Sequence, residues 1–491
     1  MIKLYSTDKT KQIDQLAAQY LGVNSFELMQ LAGAAVYQHI KQYQHILVIT
    51  GPGNNGGDGF VIAELARKQG QVVSLMTLRS VSELSGDARL AAKLYQGKVF
   101  DLGDFSLVKN TAFEVVVDAM FGTGLTRTID APYKDVIYWL NRLKQKVIAV
   151  DIPSGLNGDT GQIEGVAVKA TETISILAQN RGLYTNDGRD CCGNVSYETL
   201  QVPSEVYQSI NHCGELLQKS MLSKLTSRPH NSHKGQFGDV LAAGGQKGML
   251  GAVLLAAKAS LKSGAGSVTV VTEASHADSV ALYLPELMSQ PYGREDYGAG
   301  LLQLSVDKTN TLKVLLCGMG LGRSQWSKQL FKSCLKSELP LVLDADGLNL
   351  LASVASIPDN LKVITPHPKE AATLLKISVD DVQNNRWYAV KLLAQKYQCI
   401  AVLKGSGTLV SDGSFNWCCP YGNANLATAG SGDVLAGMVA GFMAQGFGAK
   451  EAAQMSVLWH AICGEYSEYG LTMTASDLLN TLHLVLYQKY A

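Results

Sequence analysis

The fold class that this sequence predicts is α/β, with two doubly wound domains built on parallel sheets. Apolar runs typical of strands alternate with helical patterns along the chain, as in repeated strand–helix–strand units. Some of these runs, including Val147-Ile-Ala-Val150, are apolar without interruption, as expected of strands buried on both faces. The 491 residues exceed the usual domain length of roughly 100–200 residues. We therefore expect two domains, each with its own core.

The first half shows the alternation clearly. Apolar residues at helical spacing, such as Ile13, Leu16 and Tyr20, predict two helices within residues 10–42. The strands predicted next cover residues 45–50, 72–76, 113–118 and 147–151, with further strands near 172–178 and 194–200. The helices predicted between these strands end near residue 69 and cover residues 87–95 and 132–144.

A glycine-rich stretch, Gly51-Pro-Gly-Asn-Asn-Gly-Gly-Asp-Gly59, follows the first long strand. Five glycines in nine residues predict a loop with positive φ angles and a backbone that approaches a ligand closely. The pattern Phe60-Val-Ile-Ala-Glu-Leu-Ala66 predicts a helix directly after it. A helix start offers unpaired N–H groups to an anion, so the stretch is typical of a phosphate or pyrophosphate cradle. The G-x-G-x-x-G pattern within it is by itself a weak signal.

Polar groups stand at the ends of three predicted strands of this half. Thr50 leads into the glycine stretch, and Asp118 and Asp151 each close an apolar strand before a glycine-containing loop. Ligands of doubly wound sheets bind beyond the carboxyl ends of the strands, so we expect these groups to converge on one crevice. Taken singly, either aspartate would also suit a turn or a cap. Two acids in equivalent places favour a site.

A nicotinamide-dependent dehydrogenase is the first alternative. It requires an acid roughly 20 residues after the glycine loop, at the end of the second strand. Here that strand ends in Met76-Thr-Leu-Arg79, without an acid. Arg79 would suit a 2′-phosphate, but the inserted Asn-Asn-Gly-Gly-Asp does not suit a simple pyrophosphate turn.

Composition excludes several classes of function. Lys plus Arg equals Asp plus Glu, 42 each, which argues against a nucleic-acid partner. No apolar run reaches the length of about 18 residues that a membrane span needs, and the first residues do not resemble a signal peptide. The nine cysteines are odd in number and contain no C-x-x-C, so neither a disulfide framework nor a zinc site is predicted. We expect reduced thiols and a cytoplasmic protein.

The second half alternates again. Its predicted strands begin near residues 239, 266, 314, 341, 363 and 400, and the strand at 341 is predicted to end in Asp344-Ala-Asp346. Residues 201–230 lack a long periodic segment, which predicts a boundary between domains at 1–210 and 215–491. The small-residue helix predicted over 248–264 permits close packing of subunits, so we expect a homo-oligomer.

The clearest chemical motif of this half is Ala427-Thr-Ala-Gly-Ser-Gly-Asp433, which opens a helix predicted to run to about residue 446. Small residues at a helix start expose backbone N–H groups to an anion. A carboxylate beside them accepts the proton of an attacking hydroxyl while the amides hold the phosphoryl group. Simple capping of the helix by Asp433 is the alternative.

Two further features of the second half are candidate site elements. The stretch Lys404-Gly-Ser-Gly-Thr408 follows a strand and combines a cation with glycine amides, although a solvated turn has the same composition. His367 stands between two prolines after another strand, where a lone histidine is more often structural than functional.

The first half resembles the NAD(P)H-hydrate epimerase family over about residues 1–205. The resemblance is carried by the glycine-rich stretch, Asp118-Ala-Met-Phe-Gly-Thr-Gly124 and Asp151-Ile-Pro-Ser-Gly155. It implies a Rossmann-like three-layer sandwich with a K⁺ ion held by Asn55, Asp118 and Ser154, and proton transfer by Asp151. The implied substrate-binding residues are Asn54, Asn55, Gly56, Gly57, Asp58, Gly122, Thr123, Gly124, Leu125, Thr126, Arg127, Thr128 and Asp151.

The second half resembles the ADP-dependent NAD(P)H-hydrate dehydratases of the ribokinase-like superfamily over about residues 220–491. The stretches that carry the resemblance include Gly248-Met-Leu-Gly-Ala252, Gly318-Met-Gly-Leu-Gly322, Asp344-Ala-Asp-Gly-Leu348, Thr365-Pro-His-Pro-Lys-Glu370 and the turn before Asp433. The chain departs from the family at Lys369, where glycine is usual.

This second resemblance implies a three-layer ribokinase-like sandwich and a set of site residues. Ala252, Gly320, His367 and Asp433 would contact the hydrated dinucleotide, with Asp433 as the base. Lys404, Gly405, Ser406, Gly407, Thr408 and Gly432 would hold ADP, which is expected to bring Mg²⁺ bound mostly through its phosphates.

The function that these resemblances imply is repair of the hydrated dinucleotides NADHX and NADPHX. One domain would interconvert the R and S hydrates, and the other would dehydrate the S form while converting ADP to AMP and phosphate. The main alternative is an ATP-dependent small-molecule kinase with an N-terminal binding module, and a non-enzymatic first domain is a third hypothesis. The first-half motifs argue against the kinase, which does not need them.

Overall fold

The computed structural model describes residues 2–125, 127–225, 227–293 and 313–490, with the side chains of 486–490 excepted. The chain divides into two units, Ile2–Glu215 and Leu216–Ala491. Each unit contains a parallel sheet covered by helices, which confirms the predicted α/β fold class.

The first unit is built on a sheet of seven parallel strands in the order β4-β3-β2-β5-β6-β7-β9. These strands are β2 (His45–Thr50), β3 (Val72–Thr77), β4 (Val99–Phe100), β5 (Val115–Ala119), β6 (Lys146–Val150), β7 (Glu172–Ile176) and β9 (Asn194–Glu198). The short strand β1 (Lys3–Tyr5) pairs in parallel with β8 (Gln179–Asn180) and antiparallel with β10 (Gly214–Leu216). The predicted strand at residues 45–50 is confirmed to the residue.

The helices of the first unit cover both faces of its sheet. They are α1 (Thr7–Leu21), α2 (Ser25–Ile40), α3 (Asn54–Lys68), α4 (Gly86–Leu94), α5 (Phe105–Val108), α6 (Tyr133–Leu140), α7 (Gly188–Cys191) and α8 (Ser204–Gln208). Val48 packs with α1–α3 in one apolar cluster, whereas its neighbour Leu47 packs with α6 in another. Successive strand residues point to opposite faces, so the uninterrupted apolar strands supply two cores at once.

Several predicted boundaries of this unit differ from the observed ones by two or more residues, and two of them have a clear structural reason. The helix expected over 132–144 ends at Leu140, because the amide of Asn141 donates to Ala167 O at 2.8 Å and accepts from Lys169 N at 2.8 Å. The strand expected over 147–151 ends at Val150, because Asp151 has a φ of 64° that leaves the extended conformation.

The glycine-rich stretch is largely helical. Helix α3 begins at Asn54, six residues before the predicted start, with Gly53 as its N-cap residue. None of the five glycines has a positive φ, so that expectation was wrong. Several of the glycines are needed because the backbone of α3 lies very close to neighbouring atoms. A Cβ on Gly56 would lie 2.0 Å from Gly51 O, and one on Gly59 would lie 2.7 Å from Ala119 Cβ. The glycines let α3 pack directly against the strand ends.

Among its described residues, the second unit contributes nine strands that lie side by side in the order β13-β12-β11-β14-β15-β16-β17-β18-β19. Its strands are β11 (Asp239–Ala243), β12 (Ser267–Glu273), β13 (Met288–Tyr292), β14 (Lys313–Cys317), β15 (Leu341–Leu343), β16 (Leu361–Ile364), β17 (Ile400–Leu403), β18 (Leu409–Ser411) and β19 (Asn416–Cys418). The first seven strands in this order pair in parallel, and β18 and β19 add antiparallel. The strand predicted to reach the acids at 344–346 ends before them.

The α-helices among the described residues of the second unit are α9 (Leu250–Lys262), α10 (Ala277–Tyr283), α11 (Gln325–Leu335), α12 (Asp346–Leu351), α13 (Pro368–Leu375), α14 (Val379–Asn384), α15 (Arg386–Tyr397), α16 (Ser431–Ala444), α17 (Ala449–Tyr466) and α18 (Ala475–Tyr490). Helix α16 is buried along almost its whole length, and its small residues face α9. A Cβ on Gly437 would lie 2.2 Å from Ala256 O, and Ser260 Oγ donates to Gly437 O at 2.9 Å. The small residues of α9 therefore permit close packing against α16 within the unit.

Candidate active sites

The first candidate site lies at the carboxyl ends of β5 and β6. Asp118 is fully buried and accepts from Ser154 twice, from Oγ at 2.6 Å and from the backbone N at 2.8 Å. Burial raises the pKa of Asp118 to about 6, while these hydrogen bonds favour its ionised form. The structure thus joins two predicted metal ligands that are 36 residues apart in the sequence.

The third predicted ligand lies beside the same turn. Phe121 N donates to Ser154 Oγ at 2.8 Å, and a Cβ on the next residue, Gly122, would lie 3.3 Å from Asn55 Cβ. The side chain of Asn55 is buried, and neither of its polar atoms has a hydrogen-bond partner among the described residues. A buried amide without a partner is costly, so this site fits an oxygen-seeking cation.

Asp151 lies next to this turn in a strained conformation. Its φ of 64° is unusual for a non-glycine residue and is maintained because its N–H donates to Ile174 O at 2.8 Å and its carboxylate accepts from Ile176 N at 3.2 Å. Burial raises the pKa of Asp151 to about 6. A carboxyl group with such a pKa exchanges protons near neutral pH.

Two more acids interact electrostatically with Asp151. Burial, together with the charges of Asp151 and Asp14, raises the pKa of Asp58 well above its ordinary value. Burial and the charge of Asp151 raise the pKa of Asp14 to about 7. Asp58 belongs to the predicted substrate stretch, whereas Asp14 of α1 was not predicted, because nothing in the helical pattern distinguishes it from a surface acid.

The remaining predicted residues of this site lie in the segment after Gly122 and in the first turns of α3. Leu125 N donates to Gly122 O at 3.2 Å, and a Cβ on Gly165 would lie 2.6 Å from Thr128 Cγ2. Thr123 and Gly124 lie within this segment, Arg127 is exposed, and Thr126 lies outside the described residues. Asn54, Asn55, Gly56, Gly57 and Asp58 all fall in the first turns of α3.

The second candidate site is centred on Lys404, at the carboxyl end of β17. Its Nζ lies 2.7 Å from the carboxylate Oδ1 of Asp344, which also accepts from Thr365 Oγ1 at 2.8 Å. A Cβ on Gly432 would lie 3.2 Å from Lys404 Nζ and 3.8 Å from Asp344 Oδ2. The structure therefore brings the start of α16 against the lysine, although the two predicted motifs are far apart in the sequence. Asp344 was not predicted as a site residue, although it stands directly after an apolar strand.

His367 and Glu370 form the next side of this site. The ring Nδ1 of His367 accepts from Lys369 N at 3.1 Å, and Glu370 accepts from His367 N at 2.8 Å, so together they cap α13. The cap forms with Lys369 in place of glycine. Glu370 also lies 3.9 Å from Lys404 Nζ. Burial raises the pKa of Glu370 to about 7, and burial together with the charge of Lys404 lowers the pKa of His367.

The predicted substrate residues Ala252 and Gly320 lie together. Gly320 has a φ of 57°, and a Cβ on it would lie 3.2 Å from Ala252 Cβ and 2.3 Å from Met249 O. The loop that contains Gly320 is hydrogen-bonded to an acid that follows β15: Gly322 N donates to Asp346 Oδ2 at 2.8 Å. Glycine is required at this position by both its conformation and its close contacts.

The predicted nucleotide loop continues from Lys404. Gly405 and Gly407 have φ angles of 135° and 64°, and Thr408 Oγ1 donates to Gly405 O at 3.0 Å. Ser406 lies between the two glycines. The buried guanidinium of Arg386 donates to Lys404 O at 3.2 Å, and this hydrogen bond stabilises the start of the loop. Arg386 was not predicted, because its pattern on α15 shows no signal of a buried charge.

Asp433 occupies the first turn of α16, after Gly430 in the left-handed conformation. Burial and the neighbouring carboxylate of Asp344 raise the pKa of Asp433 to about 7, against the opposing charge of Lys404. A carboxylate with this pKa, beside a lysine and helix N–H groups, suits a base in phosphoryl transfer.

The fold and the two sites define a class: a two-unit α/β enzyme with a cluster of buried acids in one unit and a buried lysine against a helix start in the other. Two family sequence models match the chain, one described as YjeF-related protein N-terminus over residues 25–182 and one as NAD(P)H-hydrate dehydratase over residues 240–484. The bifunctional NAD(P)H-hydrate repair enzyme Nnr of Coxiella burnetii is 38% identical over 99% of both chains. The Vibrio cholerae enzyme of the same name is 35% identical over 98% of both chains.

A solved structure of a ribokinase-like superfamily protein from Enterococcus faecalis is similar to 56% of this chain and 96% of its own, at a TM-score of 0.50 and 26% identity. The chain belongs to the family of bifunctional NAD(P)H-hydrate repair enzymes. This membership confirms the predicted pair of repair activities over the kinase alternative. Among the described residues, no helix is long and apolar enough to cross a membrane.

Proposed function

We propose that the first unit interconverts the R and S hydrates of NADH and NADPH at the turn that follows β5. The observation that supports this assignment is the meeting of Asn55, Asp118 and Ser154 around Phe121 and Gly122. The substrate would lie along the first turns of α3 and the segment from Gly122 to Thr128.

The cation proposed for this site is K⁺. Asn55 Oδ1, an Asp118 carboxylate oxygen and Ser154 Oγ would hold it, because hard cations prefer oxygen ligands and the Asn55 amide has no hydrogen-bond partner in the described part of the chain. When bound, the ion would supply positive charge beside the substrate phosphates. Exchange of K⁺ for tetramethylammonium should abolish epimerisation, whereas dehydration of the S hydrate should continue. Equal epimerisation in both salts would exclude this role.

Asp151 is proposed to move the proton during epimerisation. Its raised pKa allows it to accept and return a proton near neutral pH, and its backbone hydrogen bonds hold the carboxylate in one place. Asp151→Asn should stop the exchange of R and S hydrates, measured by NMR. Unchanged exchange in this variant would contradict the assignment.

The second unit is proposed to dehydrate the S hydrate with ADP. Lys404 and the amides at the start of α16 would hold the nucleotide phosphates, which would also bind Mg²⁺. Asp433 would take the proton of the hydrate hydroxyl as that oxygen attacks the terminal phosphoryl group of ADP, which releases AMP. Elimination of phosphate, together with a proton from the adjacent ring carbon, then restores the ring double bond. The contact of Lys404 with Asp344 and Gly432 supports this arrangement.

The decisive experiment mixes the separated NADHX epimers with the protein and either ADP or ATP, and follows NADH by its absorbance. Asp433→Asn should abolish recovery of NADH while hydrate interconversion continues on the same chain. Undiminished recovery in this variant would exclude Asp433 as the base. A kinase would instead accumulate a stable phosphorylated alcohol, so an assay of free phosphate separates the two chemistries.

A further inference from the structure

His460 of α17 lies directly behind the start of α16. It is 8% exposed, and its ring Nε2 lies 3.0 Å from Ser431 O and 3.2 Å from Ser431 Oγ. Ser431, which is 6% exposed, is the first residue of α16 and stands two positions before Asp433. A buried histidine therefore contacts the turn that carries the proposed base.

The two contacts determine which ring nitrogen carries the proton. A carbonyl oxygen only accepts hydrogen bonds, so the 3.0 Å contact with Ser431 O requires a hydrogen on Nε2. The same hydrogen is shared with Ser431 Oγ, which then acts as an acceptor and keeps its own proton for another partner. Burial lowers the pKa of His460 to about 4, so the ring is neutral and has one N–H at neutral pH.

The bond to Ser431 O also orients the next peptide N–H. The C=O and N–H of one planar trans peptide point in opposite directions, so a Ser431 carbonyl directed at His460 turns the Gly432 N–H away from it. Gly432 faces the site, because a Cβ on it would lie 3.2 Å from Lys404 Nζ. His460 thus lies on the far side of the peptide from the phosphate-binding groups.

We propose that His460 is a positioning residue for dehydration, which holds the Ser431–Gly432 peptide so that the Gly432 N–H and the Asp433 carboxylate face the reacting phosphoryl group. The inference rests on the proposed ADP-dependent dehydration by the second unit. Because His460 is 8% exposed and lies behind this turn, it would act without contacting substrate or nucleotide itself. Its contribution acts through one backbone hydrogen bond to a turn whose placement sets the rate.

The test compares His460→Phe with a matched change at the neighbouring residue. Trp459 Nε1 donates to Leu482 O at 3.1 Å, and Trp459 is buried, but this bond is directed at α18. Trp459→Phe therefore also removes one buried N–H donor to a carbonyl, and it removes side-chain volume, whereas His460→Phe adds some. A merely structural role predicts that the two changes lower kcat to a similar extent.

Full-length variants are compared by kcat and KM for the S hydrate of NADH at saturating ADP, with epimerisation on the same chain as the internal reference. We expect His460→Phe to lower kcat about tenfold, equivalent to about 1.4 kcal/mol, with KM for the hydrate unchanged. Trp459→Phe should leave kcat within about twofold of the wild type. His460→Gln, which places an amide N–H near the position of Nε2, should recover most of the rate.

Equal kcat losses in His460→Phe and Trp459→Phe, or no loss in His460→Phe, would overturn the positioning role. If His460→Phe does not fold, His460→Gln and His460→Asn make the same comparison, because Asn places its N–H near Nδ1 and should not recover the rate. The proposal is contradicted if both variants recover the rate of dehydration, or if neither does. A wild-type chain that forms no NADH with ADP or ATP would refute the proposed dehydration itself, and the positioning role with it.

Discussion

Gly56, in the first turn of α3, provides a direct test of the close packing at the epimerase site. A Cβ at this position would lie 2.0 Å from Gly51 O and 2.8 Å from Gly51 C. Both are backbone atoms, so relief requires α3 to move by about 1 Å from the strand ends. Overpacking costs typically 1–3 kcal/mol, and a clash this close with backbone atoms belongs at the upper end, about 3 kcal/mol, of which a helical alanine returns about 0.5–1 kcal/mol. We expect Gly56→Ala to lower the free energy of unfolding of the first unit by about 2 kcal/mol.

Gly53 offers a matched control three residues earlier. A Cβ on Gly53 meets nothing within 4 Å, and its φ of −98° is accessible to alanine. Calorimetry should show the transition of the first unit about 4–8 °C lower for Gly56→Ala and nearly unchanged for Gly53→Ala. Epimerisation should fall only in Gly56→Ala, because a shift of α3 moves Asn55. Equal transition temperatures for the two variants would refute this account of the glycines.

Two further predictions concern charge. The rate of dehydration should rise with pH through about 7, because burial and Asp344 raise the pKa of the proposed base Asp433 and only its ionised form accepts a proton. The rate of epimerisation should rise at a pH about one unit lower, because it follows Asp151, whose pKa is about 6. If the pH profiles of kcat/KM for the two reactions coincide, these assignments are contradicted. Asp344→Asn should lower the free energy of unfolding of the second unit by about 2–3 kcal/mol, since it removes the negative charge 2.7 Å from the buried ammonium of Lys404 while the amide oxygen still accepts from Thr365. Glu451→Gln, which breaks the exposed pair with Lys224, should cost at most about 1 kcal/mol by denaturant unfolding, and equal losses in the two variants would exclude a special role for the Lys404 pair.

Local pattern predicted much of the sheet structure, because parallel strands buried on both faces need apolar residues at every position. The strand at residues 45–50 and the two helices within 10–42 are examples. The same logic failed at the glycine-rich stretch. Glycine is a poor helix former, so Asn54–Gly59 was predicted as a loop, whereas contacts with the strand ends and with Met29 make it helical. Tertiary packing overrode local propensity there.

The sequence by itself determined which polar groups follow which strands, and thus that Asp118, Asp151 and Lys404 stand at carboxyl ends. Only the tertiary structure decided their partners. Lys404 meets Asp344 across 60 residues, and His460 reaches Ser431 because α17 packs against α16. Such contacts depend on how helices cross over the sheet and on the close approach that glycines permit. No periodicity along the chain encodes that geometry, so the partners become visible only when the elements are packed together.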